Sequence, residues 1–315
     1  MRLYSLSAAA KINLYLEIVG DRADGFHELV MIMQSVSLCD RVTVRSLGTD
    51  VIRVRCDHPL VPTDKTNLAY RAAELLIQTF PNILTHNGGV EITIEKQIPV
   101  GAGLAGGSSN AAAVLIGLDL LWKLGLTQNE LQTLAAKLGS DVPFCIKGGT
   151  AIATGRGDVL DPLPGLGSWS LVLAKYHSLS ISTPWAYKGY RQQFSDRYIQ
   201  DQSERQARQQ RIRASGLVGG LSESETAKAL TQELHNDLEK VVLSAHPKVA
   251  QLKETLVGLG GMGTLMSGSG PTVFTLCETP EAAAAIAAKL RQQTPDSDLG
   301  IWCAQFMANG IQLMD

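Results

Sequence analysis

The sequence predicts a mixed fold of strands and helices in two halves, and three observations carry that expectation. Apolar residues alternate with polar ones over Leu3 to Val19, Arg41 to Leu47, Val51 to Cys56 and Val90 to Glu95, the period of half-buried strands. Helical patterns stand between and after them, at Asn67 to Phe80, Asn110 to Leu118, Thr127 to Leu138 and Pro280 to Gln292. Near the middle, Pro162-Leu163-Pro164-Gly165 interrupts both periods and sets the expected boundary, residues 1–163 on one side and 164–315 on the other. With 315 residues, 45% hydrophobic and 18% charged, the chain can bury one large core or two medium ones.

In chain order, the first strand pattern is interrupted by Ala8-Ala9-Ala10. Beyond that patch, the period of two places Lys11, Asn13 and Tyr15 on one face and Ile12, Leu14 and Leu16 on the other. Pattern alone favours a solvated face for the lysine and asparagine. A polar turn follows at residues 20–29, carrying Phe26 and His27. By themselves these read as a core aromatic under a loop and a structural histidine. Thr66 is the expected cap of the helix at Asn67 to Phe80.

The strand at Val90 to Glu95 leads into Pro99-Val100-Gly101-Ala102-Gly103-Leu104-Ala105-Gly106-Gly107-Ser108-Ser109, then straight into an Ala-rich helix. Ser108 or Ser109 is the natural N-cap. Glycines let successive N–H groups turn inward, and the helix start adds unpaired donors and a partial positive charge, the combination a phosphate needs. A side chain at Gly103 would stand where the phosphate approaches. Gly101-x-Gly103-x-x-Gly106 spells a dinucleotide fingerprint, but the chain is still helical at Asp119, where the fingerprint wants an acidic residue closing the next strand. The Walker pattern fails because Gly107 and Ser108 occupy the places of its Lys and Ser/Thr. No H-R-D or D-F-G set supports a protein kinase.

Downstream, Gly139 stops the next helix, and Gly139-Ser140-Asp141-Val142-Pro143 starts another in which Asp141 reads as a cap ahead of Pro143. Gly148 to Gly157 and Leu171 to Tyr176 read as strands. Phe194 to Ala214 is rich in Gln, Arg, Asp and Ser, and is expected to be a mobile or loosely helical surface insert that can be deleted without loss of the fold. Helices are expected at Thr226 to Leu243 and Pro247 to Leu259. Met266-Ser267-Gly268-Ser269-Gly270 reads as a turn between strands, and Gly300 to Met307 as the last strand.

A net charge of −2 gives no dominant basic face, so neither nucleic acid nor an anionic membrane is an expected partner. The five cysteines show no metal-type spacing and read as reduced thiols. No signal-peptide core and no membrane-length apolar run is present, so a soluble, cytoplasmic protein is expected.

The stretch Pro99 to Ala112 closely resembles the phosphate loop of the GHMP kinases, with Ala102 and Ala105 as small departures from a longer glycine run. Ala10-Lys11-Ile12-Asn13-Leu14, Gly139-Ser140-Asp141-Val142-Pro143 and Met266 to Phe274 resemble further signatures of that family, in its order. Arg22 to His27 is similar to the segment of one branch, whose acceptor is a cytidine diphosphate-linked methylerythritol of the non-mevalonate isoprenoid pathway. The resemblance implies an α+β fold, with a strand-rich N-terminal domain facing a C-terminal α/β sandwich domain across a cleft. It implies ATP and Mg2+, with a small-molecule acceptor, in a monomer or homodimer. It implies Asp141 as catalytic base and Lys11 as its partner. Lys96, Asn67 and Pro99 through Ser109 (Pro99, Val100, Gly101, Ala102, Gly103, Leu104, Ala105, Gly106, Gly107, Ser108, Ser109) would hold ATP. Asn13, Phe26, His27, Thr183 and Tyr187 would hold the acceptor, with the base stacked between Phe26 and Tyr187. Ser108 and Ser109 are candidates to touch the metal, but no metal ligand is assigned and no acidic one can be named. Two alternatives stay open: another small-molecule kinase of the family, such as a homoserine kinase, and a ligand sensor on the same fold.

Overall fold

Two long strands frame the molecule in the computed structural model, which describes residues 2–213 and 231–314. Strand β1 (Leu3–Asp21) and strand β2 (His27–Ser46) pair antiparallel along nearly their whole lengths. The alanine patch does not break β1. The register shifts between Ala9 and Ala10, where β2 carries Ser37 and Leu38 as extra residues opposite β1, and pairing continues on both sides. β2 is far longer than its expected Arg41 to Leu47. Residues from Val30 to Val36 are buried on both faces, so their apolar run does not alternate and carries no strand period.

β3 (Ile52–Cys56), β4 (Val90–Glu95), β5 (Thr150–Gly155), β6 (Val159–Pro162), β8 (His235–Asn236) and β12 (Ile311–Leu313) complete an eight-stranded sheet with the order β12-β1-β2-β4-β3; β5 pairs with β2 and β6, and β8 with β1. A second sheet has the order β11-β7-β10-β9, built from β7 (Ser170–Tyr176), β9 (Gly263–Met266), β10 (Val273–Cys277) and β11 (Leu299–Gln305). β1 passes from one core to the next. Leu6 and Ala8 meet α1 (Leu68–Thr79) and α3 (Gly106–Trp122), between which lies the short α2 (Ile83–Asn87), whereas Ile12 and Leu14 share a cluster with Leu171 and Phe274 of the second sheet. The register shift at Ala9/Ala10 falls at this change of neighbours, just before Lys11.

Helix starts differ from the expected caps. Asn67, not Thr66, caps α1: its Oδ1 accepts from the Ala69 N–H at 2.8 Å, while the Thr66 hydroxyl donates to Asp64 at 2.6 Å. α3 begins at Gly106 after Ala105, which is left-handed at φ 56°, so neither serine caps it. α4 (Gln128–Ala136) does start with a full capping box between Thr127 and Glu130. The expected helix from Thr226 to Leu243 is interrupted by β8 and resumes only as α8 (Glu239–Ala245), ahead of α9 (Pro247–Gly258) and α10 (Pro280–Gln293); residues 226–230 lie outside the described residues.

The expected mobile insert is ordered as far as it is described; Ala214 lies outside the described residues. After α6 (Thr183–Phe194) comes a short turn, then α7 (Gln202–Arg213). Tyr198 and Ile212 are buried, the Ile199 N–H donates to the Val19 carbonyl at 2.9 Å, and Arg208 pairs with Glu17 of β1 at 2.8 Å. A few apolar residues and one ion pair dock a segment whose composition is otherwise that of a solvated surface.

Candidate active site

The glycine-rich loop forms one wall of a cavity of about 770 Å³. Its carbonyls are bound from behind. Lys11 N–H donates to Leu104 O at 3.1 Å, Thr272 N–H to Ala102 O at 3.3 Å and the Ser267 hydroxyl to Gly103 O at 3.0 Å. The first amides of α3, which have no partner in their own helix, begin where this loop ends. Gly103, at φ +77°, lines the cavity, but a Cβ there would lie 2.2 Å from the Ser267 carbonyl, so a side chain at this position meets the neighbouring loop as well as any phosphate. Gly107 is the open position. It is exposed and lines the cavity, and a Cβ there would meet only Leu68, at 3.9 Å.

Of the residues expected to hold ATP, Asn67, Lys96 and Pro99 through Ser108 line the cavity. Ser109 does not; it is fully buried and its hydroxyl donates to the Ala9 carbonyl at 2.7 Å, tying α3 to β1 at the register shift. The Asn67 side chain is occupied by the α1 cap and by the Pro62 carbonyl, at 2.6 Å.

Lys11, Asn13 and Asp141 line the same cavity. Buried Lys11 donates from Nζ to Asn13 Oδ1 at 2.7 Å and lies 3.8 Å from Asp141 Oδ2. Asn13 is held in turn on Met31 Sδ at 3.4 Å. Asp141 occupies the cap position of α5 (Val142–Lys147), but its backbone is helical and its side chain makes no capping bond. The carboxylate is therefore spared for the cavity, with a third of its side chain exposed and a cation beside it.

The other end of the cavity joins the β1–β2 turn to α6. Phe26 stands on the rim, 49% exposed, with the Arg156 guanidinium 5.4 Å over its ring; Arg156 is held by Asp158 at 2.7 Å and by Ala136 O at 2.8 Å. His27 lies against Tyr187, with ring centroids 5.1 Å apart and planes tilted by 32°. The His27 Nε2 atom is buried without a hydrogen-bond partner, 3.7 Å from Asp21. Burial, then the charge of Arg191, pushes the imidazole below its ordinary pKa, so it is neutral at pH 7. Burial, then the Asp141 carboxylate, pushes the Tyr187 phenol well up. Thr183 opens α6 and shares a hydrogen bond with Ser269 at 2.9 Å.

Several contributors were not legible in the sequence as site residues. Asp40 anchors the loop from beneath. Asn236 donates to the Met266 and Gly268 carbonyls at 2.7 and 2.8 Å, fixing the Ser-Gly turn, and Glu239 accepts from the Met266 N–H at 2.8 Å. Asp40 lies far along the chain from what it holds and no local spacing marks it, whereas Asn236 and Glu239 stand in Asn236-Asp237-Leu238-Glu239, a string that resembles a helix motif of the family but carries no role by itself. Among the described residues, no group of three or more His, Cys, Asp or Glu could hold a metal ion, and no helix is long and apolar enough to cross a membrane.

Residues 67–149 match the GHMP kinases N terminal domain and residues 220–296 the GHMP kinases C terminal. A relative from Gloeothece citriformis is 58% identical over 313 residues, and one from Nostoc punctiforme is 57% identical over 314, each match covering 99% of both chains. Both are named 4-diphosphocytidyl-2-C-methyl-D-erythritol kinase. A crystal structure of 4-(cytidine 5'-diphospho)-2C-methyl-D-erythritol kinase superposes with a TM-score of 0.74 at 32% identity, over 96% of this chain and 98% of that one. A homoserine kinase from Cytophaga hutchinsonii reaches a TM-score of 0.72 at 19% identity, over 100% of this chain and 98% of that one, a likeness of fold alone.

Proposed function

We propose a reaction for this chain from one premise: it belongs to the GHMP kinase family, and within it to the 4-diphosphocytidyl-2-C-methyl-D-erythritol kinases. It is an ATP-dependent kinase of the α+β, two-domain GHMP type, and it phosphorylates the 2-hydroxyl of 4-diphosphocytidyl-2-C-methyl-D-erythritol. The observation that carries the reading is the sharing of one cavity by the phosphate loop, the Lys11–Asp141 pair and the aromatic group of Phe26, His27 and Tyr187.

Phosphoryl transfer asks a protein to position the reactants and to balance charge. The loop from Pro99 to Ser108 and the start of α3 hold the ATP phosphates through backbone N–H groups. The acceptor's cytosine stacks between Phe26 and Tyr187, and neutral His27 hydrogen-bonds its edge. Its methylerythritol end then reaches Asp141. The tertiary hydroxyl gives its proton to Asp141 as its oxygen bonds the γ-phosphorus; the bond from that phosphorus to the β,γ-bridging oxygen breaks, and ADP leaves. Lys11, fixed by Asn13, lies beside the Asp141 carboxylate and balances the transferring charge.

Mg2+ belongs to this reading as part of the nucleotide substrate. Mg2+ is commonly held by substrate phosphates, waters and one or two carboxylates, so the lack of an acidic cage among the described residues fits an ion delivered as MgATP. The same proposal divides the chain into a nucleotide-holding unit, residues 1–163, and an acceptor-closing unit, residues 164–315. It places the chain in the cytoplasm, a reducing compartment suited to five free cysteines, as a monomer or homodimer without nucleic acid or membrane partners.

A coupled assay of ADP release separates this reading from its nearest rival. ADP should appear with ATP plus the cytidylyl acceptor and stay at background with homoserine. The opposite preference would transfer the chain to the homoserine kinase reading, and silence with every acceptor would favour a sensor.

A further inference from the structure

We infer that Asp40 is the positioning residue of the nucleotide subsite, holding the phosphate loop and the Lys96 ammonium in register with the start of α3. The inference rests on the reading that this loop holds the ATP phosphates.

Asp40 lies in β2 and is 1% exposed. Its Oδ1 accepts from the Gln97 and Ile98 N–H groups, both at 2.8 Å, and so fixes the backbone that enters the loop. Its Oδ2 accepts from Asn110 Nδ2 of α3 at 2.8 Å and pairs with Lys96 Nζ. One carboxylate thus joins the loop's first residues, its last helix and its only lysine. The two charged side chains are 0% and 4% exposed, so neither is screened by solvent.

The placement of Lys96 gives this arrangement a purpose beyond stability. A Cβ on Gly106 would lie 3.0 Å from Lys96 Nζ, which puts the ammonium beside the first residue of α3. That is where the loop's own sequence has no cation, since Gly107 and Ser108 follow Gly106. A lysine ten positions upstream fills the gap, and Asp40 keeps its charge from being repelled by the positive helix start. Bound phosphates would then meet backbone donors with a cation directly behind them.

Asp40→Asn tests this. The amide oxygen can still accept from Gln97 and Ile98, but its NH2 group must face the Lys96 and Asn110 donors. Leaving such buried donors unpaired costs enough to shift binding about 10-fold or more. The KM for ATP should rise by that order, with the KM for the cytidylyl acceptor unchanged, because Asp40 holds Lys96, Gln97, Ile98 and Asn110 and none of Phe26, His27 and Tyr187. A purely structural role would lower the melting temperature without separating the two constants. Should Asp40→Asn not fold, Asn110→Ala, which removes one bond and leaves the ion pair, should still raise the KM for ATP severalfold. Unchanged ATP constants in whichever variant folds would overturn the inference. Gly107→Val run beside them separates the failures: if it loses ATP while Asp40→Asn keeps it, only the role of Asp40 falls, and if it keeps ATP, the loop itself is not the phosphate site.

Discussion

At the scale of residues, the acceptor end of the cavity makes the sharpest claims. Replacing one stacking ring by alanine typically costs about 1–3 kcal/mol, or roughly 5- to 150-fold in affinity. Phe26→Ala and Tyr187→Ala should each weaken the acceptor to that degree and leave ATP affinity alone, measured by calorimetry with both ligands on each folded variant. A fall in ATP affinity with the acceptor unaffected would move these rings to the adenine side. His27 adds a pH dependence. Burial sets its pKa below the ordinary 6.5, so the neutral ring persists through pH 7 and protonates only as the pH falls below that lowered value. Acceptor affinity should hold as the pH falls from 7 through 6.5 and decline only below that lowered value, and Phe26→Ala should shift the affinity without moving the pH at which it declines. Much of this site was legible: Lys11, Asp141, Phe26 and His27 stood in recognisable local strings. The cap reading of Asp141 had equal support from local chemistry, and only the helical backbone and unbonded carboxylate decide against it. Asp40 was illegible, because it meets Lys96 across 56 residues and nothing beside it in sequence hints at a loop.

At the scale of elements, α3 and its loop were readable from glycine density followed by helical pattern, but the start of the helix was not. Two serines looked like caps, yet the chain turns through left-handed Ala105 and the Ser109 hydroxyl is used on the neighbouring strand. This difference changes which glycine to test. A side chain at Gly103 would collide with the Ser267 carbonyl and disturb the loop itself, so loss of ATP there would prove little. Gly107 has room, and valine costs a helix no more than glycine does. Gly107→Val should therefore melt as the parent does and bind no ATP by calorimetry, with acceptor affinity retained. Normal ATP affinity would remove the loop from the phosphate site. β2 was half legible for a different reason. Its first part is buried on both faces, which erases the alternation that announced its second part.

At the scale of the whole molecule, the chain returns to its first sheet twice after leaving it. β8 pairs with β1 in parallel and β12 pairs with it antiparallel, so residues beyond 163 contribute to the strand-rich half. Such long-range pairings leave no trace in sequence periodicity. The insert after α6, expected to be mobile or loosely helical, is helical over Gln202–Arg213, and what its polar composition concealed is the docking. Buried Ile212 contributes about 1.5–3 kcal/mol by removal from water, and the Tyr198 ring adds apolar burial that its unpartnered hydroxyl partly offsets. Deleting Ser195 to Arg213 behind a short Gly-Ser bridge should therefore lower the melting temperature by about 5 °C or more, read by calorimetry. An unchanged melting temperature would return the segment to a dispensable surface feature.

The central claim is that one cavity holds both substrates and that Asp141 takes the acceptor's proton between them, and Asp141→Asn tests it most directly. Amide and carboxylate have similar shapes, but only the carboxylate accepts the proton. With both dissociation constants and the turnover rate measured on the same preparation, ATP and the cytidylyl acceptor should bind nearly as to the parent. Turnover should fall about 100- to 10,000-fold. Near-normal turnover with both substrates bound would contradict the account.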